Sequence, residues 1–228
     1  MTVFSRILID SRDRRAMYVF GSLERLHAVV ARATNSDASD DQHRVLWRLD
    51  KASHGAMQRL YIVSPSELDR SVFEEELGVN VDRDCSSCDY GPFLRSLESG
   101  QEWAFRVTVN PTHSVPSEGF ASRGRRQPIV RRDKQTEWLF KKFRKIGCHM
   151  TINRLDQPEV AIRGTQQISF RKRGTTVVLT QVTFEGILSV DDPNTLRQAL
   201  VDGIGSAKAY GCGLLTLAQL QVRSMDAI

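Results

Sequence analysis

Positions 3–9 alternate in polarity and are rich in β-branched residues, which predicts a strand. Positions 11–15 are polar and basic and read as a loop. Ser22 is an N-cap residue type, and Leu23, Leu26, His27 and Val30 then recur at helical spacing along one face, in a helix ending by about Thr34. Positions 45–49 and 59–63 predict two short strands joined by a hairpin around His54-Gly55. Pro65-Ser66-Glu67 opens a short acidic helix, and positions 80–100 are rich in turn residues. Positions 103–109 predict a strand with Phe105, Val107 and Val109 on one face and Arg106 and Thr108 on the other, stopped by Asn110-Pro111. The order is β-α-β-β-α-β, the ferredoxin-like pattern.

The second half repeats that order. A helix over 134–146 turns Trp138, Leu139 and Phe143 inward, and two long strands over 160–170 and 176–190 are joined by an Arg171-Lys172-Arg173-Gly174 tip. Asp191-Asp192-Pro193 starts a helix with a carboxylate at the cap and proline in the first turn. That helix carries Leu196, Ala199, Leu200 and Ile204, a strand over 213–220 closes the set, and the residues after Leu220 read as a tail. The predicted class is α+β, with tandem ferredoxin-like (RRM-like) βαββαβ domains. The expected units are 1–113, a basic linker over 114–128, and 129–228. RNA recognition modules share this order, but no RNP aromatic consensus is present, so stacking of bases on the sheet face is not expected.

Charge adds a partner. The net charge is +5, and 123–145 holds Arg123, Arg125, Arg126, Arg131, Arg132, Lys134, Lys141, Lys142, Arg144 and Lys145 against only Asp133 and Glu137. Clustered cations point to a polyanion, nucleic acid before membrane, although any single run can be a solvated face. No window approaches a membrane span and no signal peptide opens the chain, so a cytoplasmic protein is expected, with Cys85, Cys88, Cys148 and Cys212 as reduced thiols. Cys85-Ser86-Ser87-Cys88 has zinc-ligand spacing but lacks a second spaced pair, since Cys148 and His149 are adjacent. No metal is expected.

Candidate chemistry centres on Gly203-Ile204-Gly205-Ser206-Ala207-Lys208-Ala209-Tyr210-Gly211-Cys212-Gly213, between a predicted helix and a predicted strand. Glycines admit φ > 0 and close approach of a ligand, and successive N–H groups beside Lys208 can hold an anion. The spacing matches neither a Walker loop nor the dinucleotide fingerprint. A glycine-rich turn with one solvated lysine is the alternative. His27, on the apolar stripe of its helix, reads by position alone as a core histidine. His43, His54, His113 and His149 read as surface or structural residues.

The glycine segment continued through Leu214-Leu215 resembles the signature of the CRISPR-associated endoribonuclease CasE family of type I-E systems, within the RAMP superfamily. Phe184-Glu185-Gly186-Ile187-Leu188, Phe105-Arg106-Val107 with Asn110-Pro111, Trp47-Arg48-Leu49 and the Leu26-His27 helix match in the same order, and the resemblance covers essentially the whole chain.

The resemblance implies a metal-independent, cofactor-free RNase with tandem ferredoxin-like domains. Such an enzyme cuts the CRISPR repeat stem-loop and stays bound to the mature guide RNA among the other subunits of a surveillance complex. A free monomer is expected. The family's catalytic histidine falls on His27; the tyrosine that some relatives carry one turn earlier has no counterpart, because Leu23 and Glu24 stand there, which leaves Tyr210 and Lys208 as candidate helpers. The implied RNA contacts are Gly203, Gly205, Ser206, Lys208, Tyr210, Gly211 and Gly213 in the loop, Arg171, Lys172 and Arg173 at the hairpin tip, and Arg123, Arg125, Arg126 and Arg131 in the basic linker region. A non-catalytic RNA-binding subunit is the alternative.

Overall fold

The fold is that of a computed structural model, which describes residues 1–34, 45–51, 55–115, 125–172 and 175–220. In chain order the elements are β1 (Val3–Asp10), α1 (Arg14–Phe20), α2 (Leu23–Ala33), β2 (Leu46–Asp50), β3 (Met57–Ser64), α3 (Ser71–Leu77), α4 (Val81–Asp84), β4 (Cys85–Asp89), α5 (Gly91–Arg95), β5 (Glu102–Val109), β6 (Thr112–Val115), β7 (Arg125–Pro128), α6 (Arg132–Lys145), β8 (Cys148–Met150), β9 (Val160–Lys172), β10 (Thr175–Val190), α7 (Pro193–Asp202), a 3-10 turn (Lys208–Tyr210) and β11 (Leu215–Ala218).

Two antiparallel sheets result. The first has the order β2-β3-β1-β4. In β1 the period-2 alternation puts Val3, Ser5, Ile7 and Ile9 inward. The one polar member, Ser5, meets the Ser87 hydroxyl at 2.8 Å, so its burial leaves no orphan group. Leu26, Val29, Val30 and Ala33 of α2 and Phe73 and Leu77 of α3 close over this sheet with Ile7, Ile9, Leu60 and Trp47. The second sheet has the order β11-β5-β10, with β8 and β9 pairing successive stretches of the long β10. Asp192 caps α7 by accepting the amides of Asn194 and Thr195, as the Asp-Asp-Pro sequence leads one to expect.

Several expectations change here. Positions 103–109 form a strand, but β5 pairs with β10 and β11 and so opens the second sheet. The fourth strand of the first sheet is β4, a polar and exposed segment inside the stretch read as turns. The expected unit 1–113 therefore does not coincide with one sheet. The expected linker, 114–128, contains paired strand residues, because β6 and β7 form a hairpin whose connection, 116–124, lies outside the described residues. The segment 11–15, read as a loop, leads into α1, capped by Asp13 accepting from the Arg15 amide. α3 begins at Ser71, where Asp69 accepts the amide, rather than at Pro65. The tail after Leu220 lies outside the described residues.

The sheets are joined through a shared core and through the buried Arg48 guanidinium. Leu46, Val63, Tyr90 and Leu97 from the first half pack with Phe105, Val107, Phe143, Phe184 and Leu215 from the second. Arg48 on β2 is 2% exposed. Its guanidinium donates to both Asp50 carboxylate oxygens (2.8 and 3.0 Å), the carbonyls of Arg106 and Leu214 (2.8 and 2.9 Å) and the Thr216 hydroxyl (2.9 Å). That uses every N–H the group has. Arg48→Ala strips Asp50 of its main counter-charge, leaving Arg106 at 3.4 Å. Guanidinium chloride unfolding should show a loss of about 3–5 kcal/mol. The Arg48→Ala/Asp50→Ala pair should lose less than the sum of the single changes.

Candidate active site and nucleic-acid interface

α2 begins where Ser22, extended at φ −151°, accepts the Glu24 amide at 3.2 Å. Its buried stripe is Leu26, Val29, Val30 and Ala33. His27 is half-buried at the margin of that stripe rather than inside it. α2 lies against the 3-10 turn Lys208–Tyr210, in the middle of the glycine-rich segment, as well as against α1 and α3. Residues far apart in sequence, the histidine helix and the glycine loop, are thus neighbours.

The loop has a defined shape for mechanical reasons. Its ends are tied by the Ile204 amide donating to the Gly213 carbonyl at 2.9 Å and the Gly213 amide donating to the Thr108 carbonyl at 2.7 Å. Gly211 has φ +76°, and a Cβ there would stand 2.7 Å from the Trp47 ring. Gly213, at φ +93°, would place a Cβ 2.7 Å from the Ile204 carbonyl oxygen. Gly203 and Gly205 pack on Leu46 and Trp138, with Ser206 between them and the turn. The Lys208 ammonium donates to the Asp202 carbonyl, closing the C-terminal end of α7 where cations are favoured. The Gln181 amide on β10 donates to the Tyr210 carbonyl at 2.6 Å. The Tyr210 ring lies 4.8 Å from that of Phe170 on β9. Phe170 is followed by Arg171 and Lys172, which pair in register with Thr176 and Thr175; Arg173 lies outside the described residues.

Other expected RNA contacts are dispersed. Arg126 is exposed on β7, opposite Ser114, and Arg125 lies on the same strand opposite Val115. Arg131 is exposed but forks onto Asp133 at 2.7 and 3.1 Å, so its charge is partly compensated. Arg123, His43 and His54 lie outside the described residues, His113 is exposed on β6, and His149 bonds Asp191 at 2.8 Å. Cys85 and Cys88, three apart on a strand, point to opposite faces and cannot pinch one ion. Among the described residues no three His, Cys, Asp or Glu side chains converge on a metal site, and no helix is long and apolar enough to cross a membrane. Phe170, Gln181 and Trp47, which hold the loop in place, carried no sequence signal beyond the presence of Trp47 in a family-like motif.

The family model described as CRISPR associated protein matches residues 3–219. The chain belongs to that family. Among similar members is the CRISPR-associated endoribonuclease Cse3 of Thermus thermophilus, 24% identical over 94% of this chain and 98% of the relative. The CRISPR system Cascade subunit CasE of Escherichia coli is 31% identical over 54% of this chain and 61% of the relative. The solved structure of Thermus thermophilus Cse3 bound to an RNA representing a pre-cleavage complex superposes with a TM-score of 0.79 at 23% identity, over 96% of this chain and 99% of that one. The tandem ferredoxin-like fold is therefore the family's.

Two outcomes follow for this family member. Gly211→Ala forces a Cβ into left-handed backbone and into Trp47, and should lower stability by at least ~1 kcal/mol in chemical denaturation. Burial pushes the Cys148 and Cys212 thiols up to about 12. An aromatic disulfide reagent at pH 8 should modify exposed Cys88 first and reach Cys148 and Cys212 only on unfolding.

Proposed function

We propose that this chain is a metal-independent, sequence-specific endoribonuclease that cleaves CRISPR repeat stem-loops in precursor transcripts. It works in the cytoplasm and stays on the mature guide RNA within a multi-subunit surveillance complex. The observation that carries this reading is the apposition of α2, bearing a half-buried His27, to the turn of the glycine loop. Family membership and the endoribonuclease name of the Thermus relative support it.

The chemistry needs no metal. The 2′-hydroxyl beside the scissile phosphate loses a proton as its oxygen bonds phosphorus, and the bond to the 5′-oxygen breaks as that oxygen gains a proton. The products are a 2′,3′-cyclic phosphate (or the 3′-phosphate from its opening) and a 5′-hydroxyl. An imidazole with an ordinary pKa near 6.5 serves either transfer close to neutrality. Partial burial at a helix margin restricts the His27 ring without enclosing the residue completely. Tyr210, on the turn that abuts α2, is the proposed second polar group, because Glu24 and Leu23 stand where the family resemblance puts a phenol in some relatives. The RNA grip is assigned to the loop residues, to Arg171, Lys172 and Arg173, and to Arg123, Arg125, Arg126 and Arg131. Phosphate contacts of this kind position the stem without reading its sequence.

Cleavage of the cognate repeat by His27→Ala should fall by about 10²–10⁴-fold, with RNA retention by gel shift unchanged. Chelator should leave the wild-type rate as it is. Full-rate cutting by the alanine variant would remove His27 from the mechanism. An unmodified protein that binds the repeat without cutting it would make the chain a non-catalytic RNA-binding subunit.

A further inference from the structure

A groove of about 490 Å³ opens between α1, α2 and α3, with Val19, Ala28 and Val29 as its floor. Its rim carries Arg14, Arg15, Tyr18, Arg25, Arg32 and Glu76. It is separate from the site above. Arg25, Ala28, Val29 and Arg32 are spaced i, i+3, i+4, i+7 and share one face of α2, and His27 lies roughly 150° around the helix from that face.

The four arginines are not equivalent. Arg15 is held by Asp13 and by the Glu74 carbonyl, and Arg32 forks onto Glu76. Those two are walls. Among the described residues no carboxylate pairs with Arg14 or Arg25. The Arg25 guanidinium sits over the Tyr18 ring, its Cζ 4.0 Å from the centroid. Tyr18 is nevertheless 67% exposed and its neighbour Met17 59%. An exposed phenol ring backed by Arg25, with Arg14 as the second uncompensated cation and an apolar floor below, repeats the alternation of a single strand: a flat base, then a phosphate. An acidic peptide would favour four available cations, and two of these are already neutralised.

We propose that this groove is a second RNA site, which takes an unpaired nucleotide of the strand flanking the stem-loop, its base on Tyr18 and its phosphate between Arg14 and Arg25. It rests on the reading that the chain handles RNA but not on His27 being catalytic. A helix is only about 10–12 Å across, so a strand leaving the His27 side reaches the groove in a short run.

The test uses the full chain and two 2′-deoxy-blocked repeat RNAs, a bare stem-loop and the same stem-loop with unpaired flanks of about eight nucleotides on both sides. Fluorescence anisotropy should show tighter binding of the flanked RNA. Tyr18→Ala should remove about tenfold of that affinity, the scale of one base stack, and leave the bare stem-loop unaffected. Tyr18→Phe should retain it. Arg14→Ala/Arg25→Ala should weaken the flanked RNA and lower its salt slope by about 0.7 for each phosphate lost. Equal losses on both RNAs, or none on the flanked one, would overturn the proposal. So would displacement by a polyglutamate peptide of a probe the flanked RNA cannot displace, which would give the groove to a protein partner. A wild-type chain that retains neither RNA sinks this inference and the functional reading together; kept stem-loop binding with an inert groove sinks this one alone.

Discussion

The guanidinium of Arg48 is the constraint on which the rest depends. A charge this deeply buried is tolerated only when a counter-ion and a full set of acceptors surround it. Here the acceptors come from both sheets: Asp50 on its own strand, the Arg106 carbonyl on β5, and the Leu214 carbonyl and Thr216 hydroxyl at β11. Any sliding of β2 past β5 and β11 would orphan several of these groups together. The relation between the two ferredoxin-like units is thus set by directional bonds, while the shared apolar core of Leu46, Val63, Phe105 and Leu215 supplies bulk attraction.

The same strand shapes the candidate site. Trp47, the residue before Arg48, turns to the opposite face and becomes the floor beneath Gly211. Gln181 holds the Tyr210 carbonyl from β10, and Phe170 meets the Tyr210 ring from β9. The turn that abuts α2 is therefore anchored by strands of both sheets, and the base of the basic hairpin is coupled to it through one aromatic pair. This gives the glycines a reason beyond ligand binding. Left-handed backbone at Gly211 and Gly213 lets the loop lie directly on Trp47 and Ile204 with no Cβ between.

Long, strongly patterned segments were legible from sequence. The helix from Ser22, the α6 helix, the β9–β10 hairpin and the Asp192-capped α7 all lie close to where periodicity and capping put them. Short or polar elements were not. α1 has seven residues and buries only Ala16 and Val19, too little for a helical period to emerge from its arginines. β4 reads Cys-Ser-Ser-Cys-Asp and is largely exposed, so no alternation marks it as a strand. With β4 unmarked, the pattern of element types places β5 as the fourth strand of the first unit, because the order of types is the same either way.

Local chemistry alone determined the caps, the hydrophobic faces, the clustering of cations around 123–145 and the presence of a histidine on the first long helix. Each depends on neighbours within a turn or two, where the sequence contains the partners. Sheet membership of β5, the burial of Arg48, the seat of Gly211 on Trp47 and the meeting of α2 with the glycine loop were decided by tertiary structure. Those depend on which groups are left without partners once the local elements form, and the missing partners lie across the chain, on the other sheet.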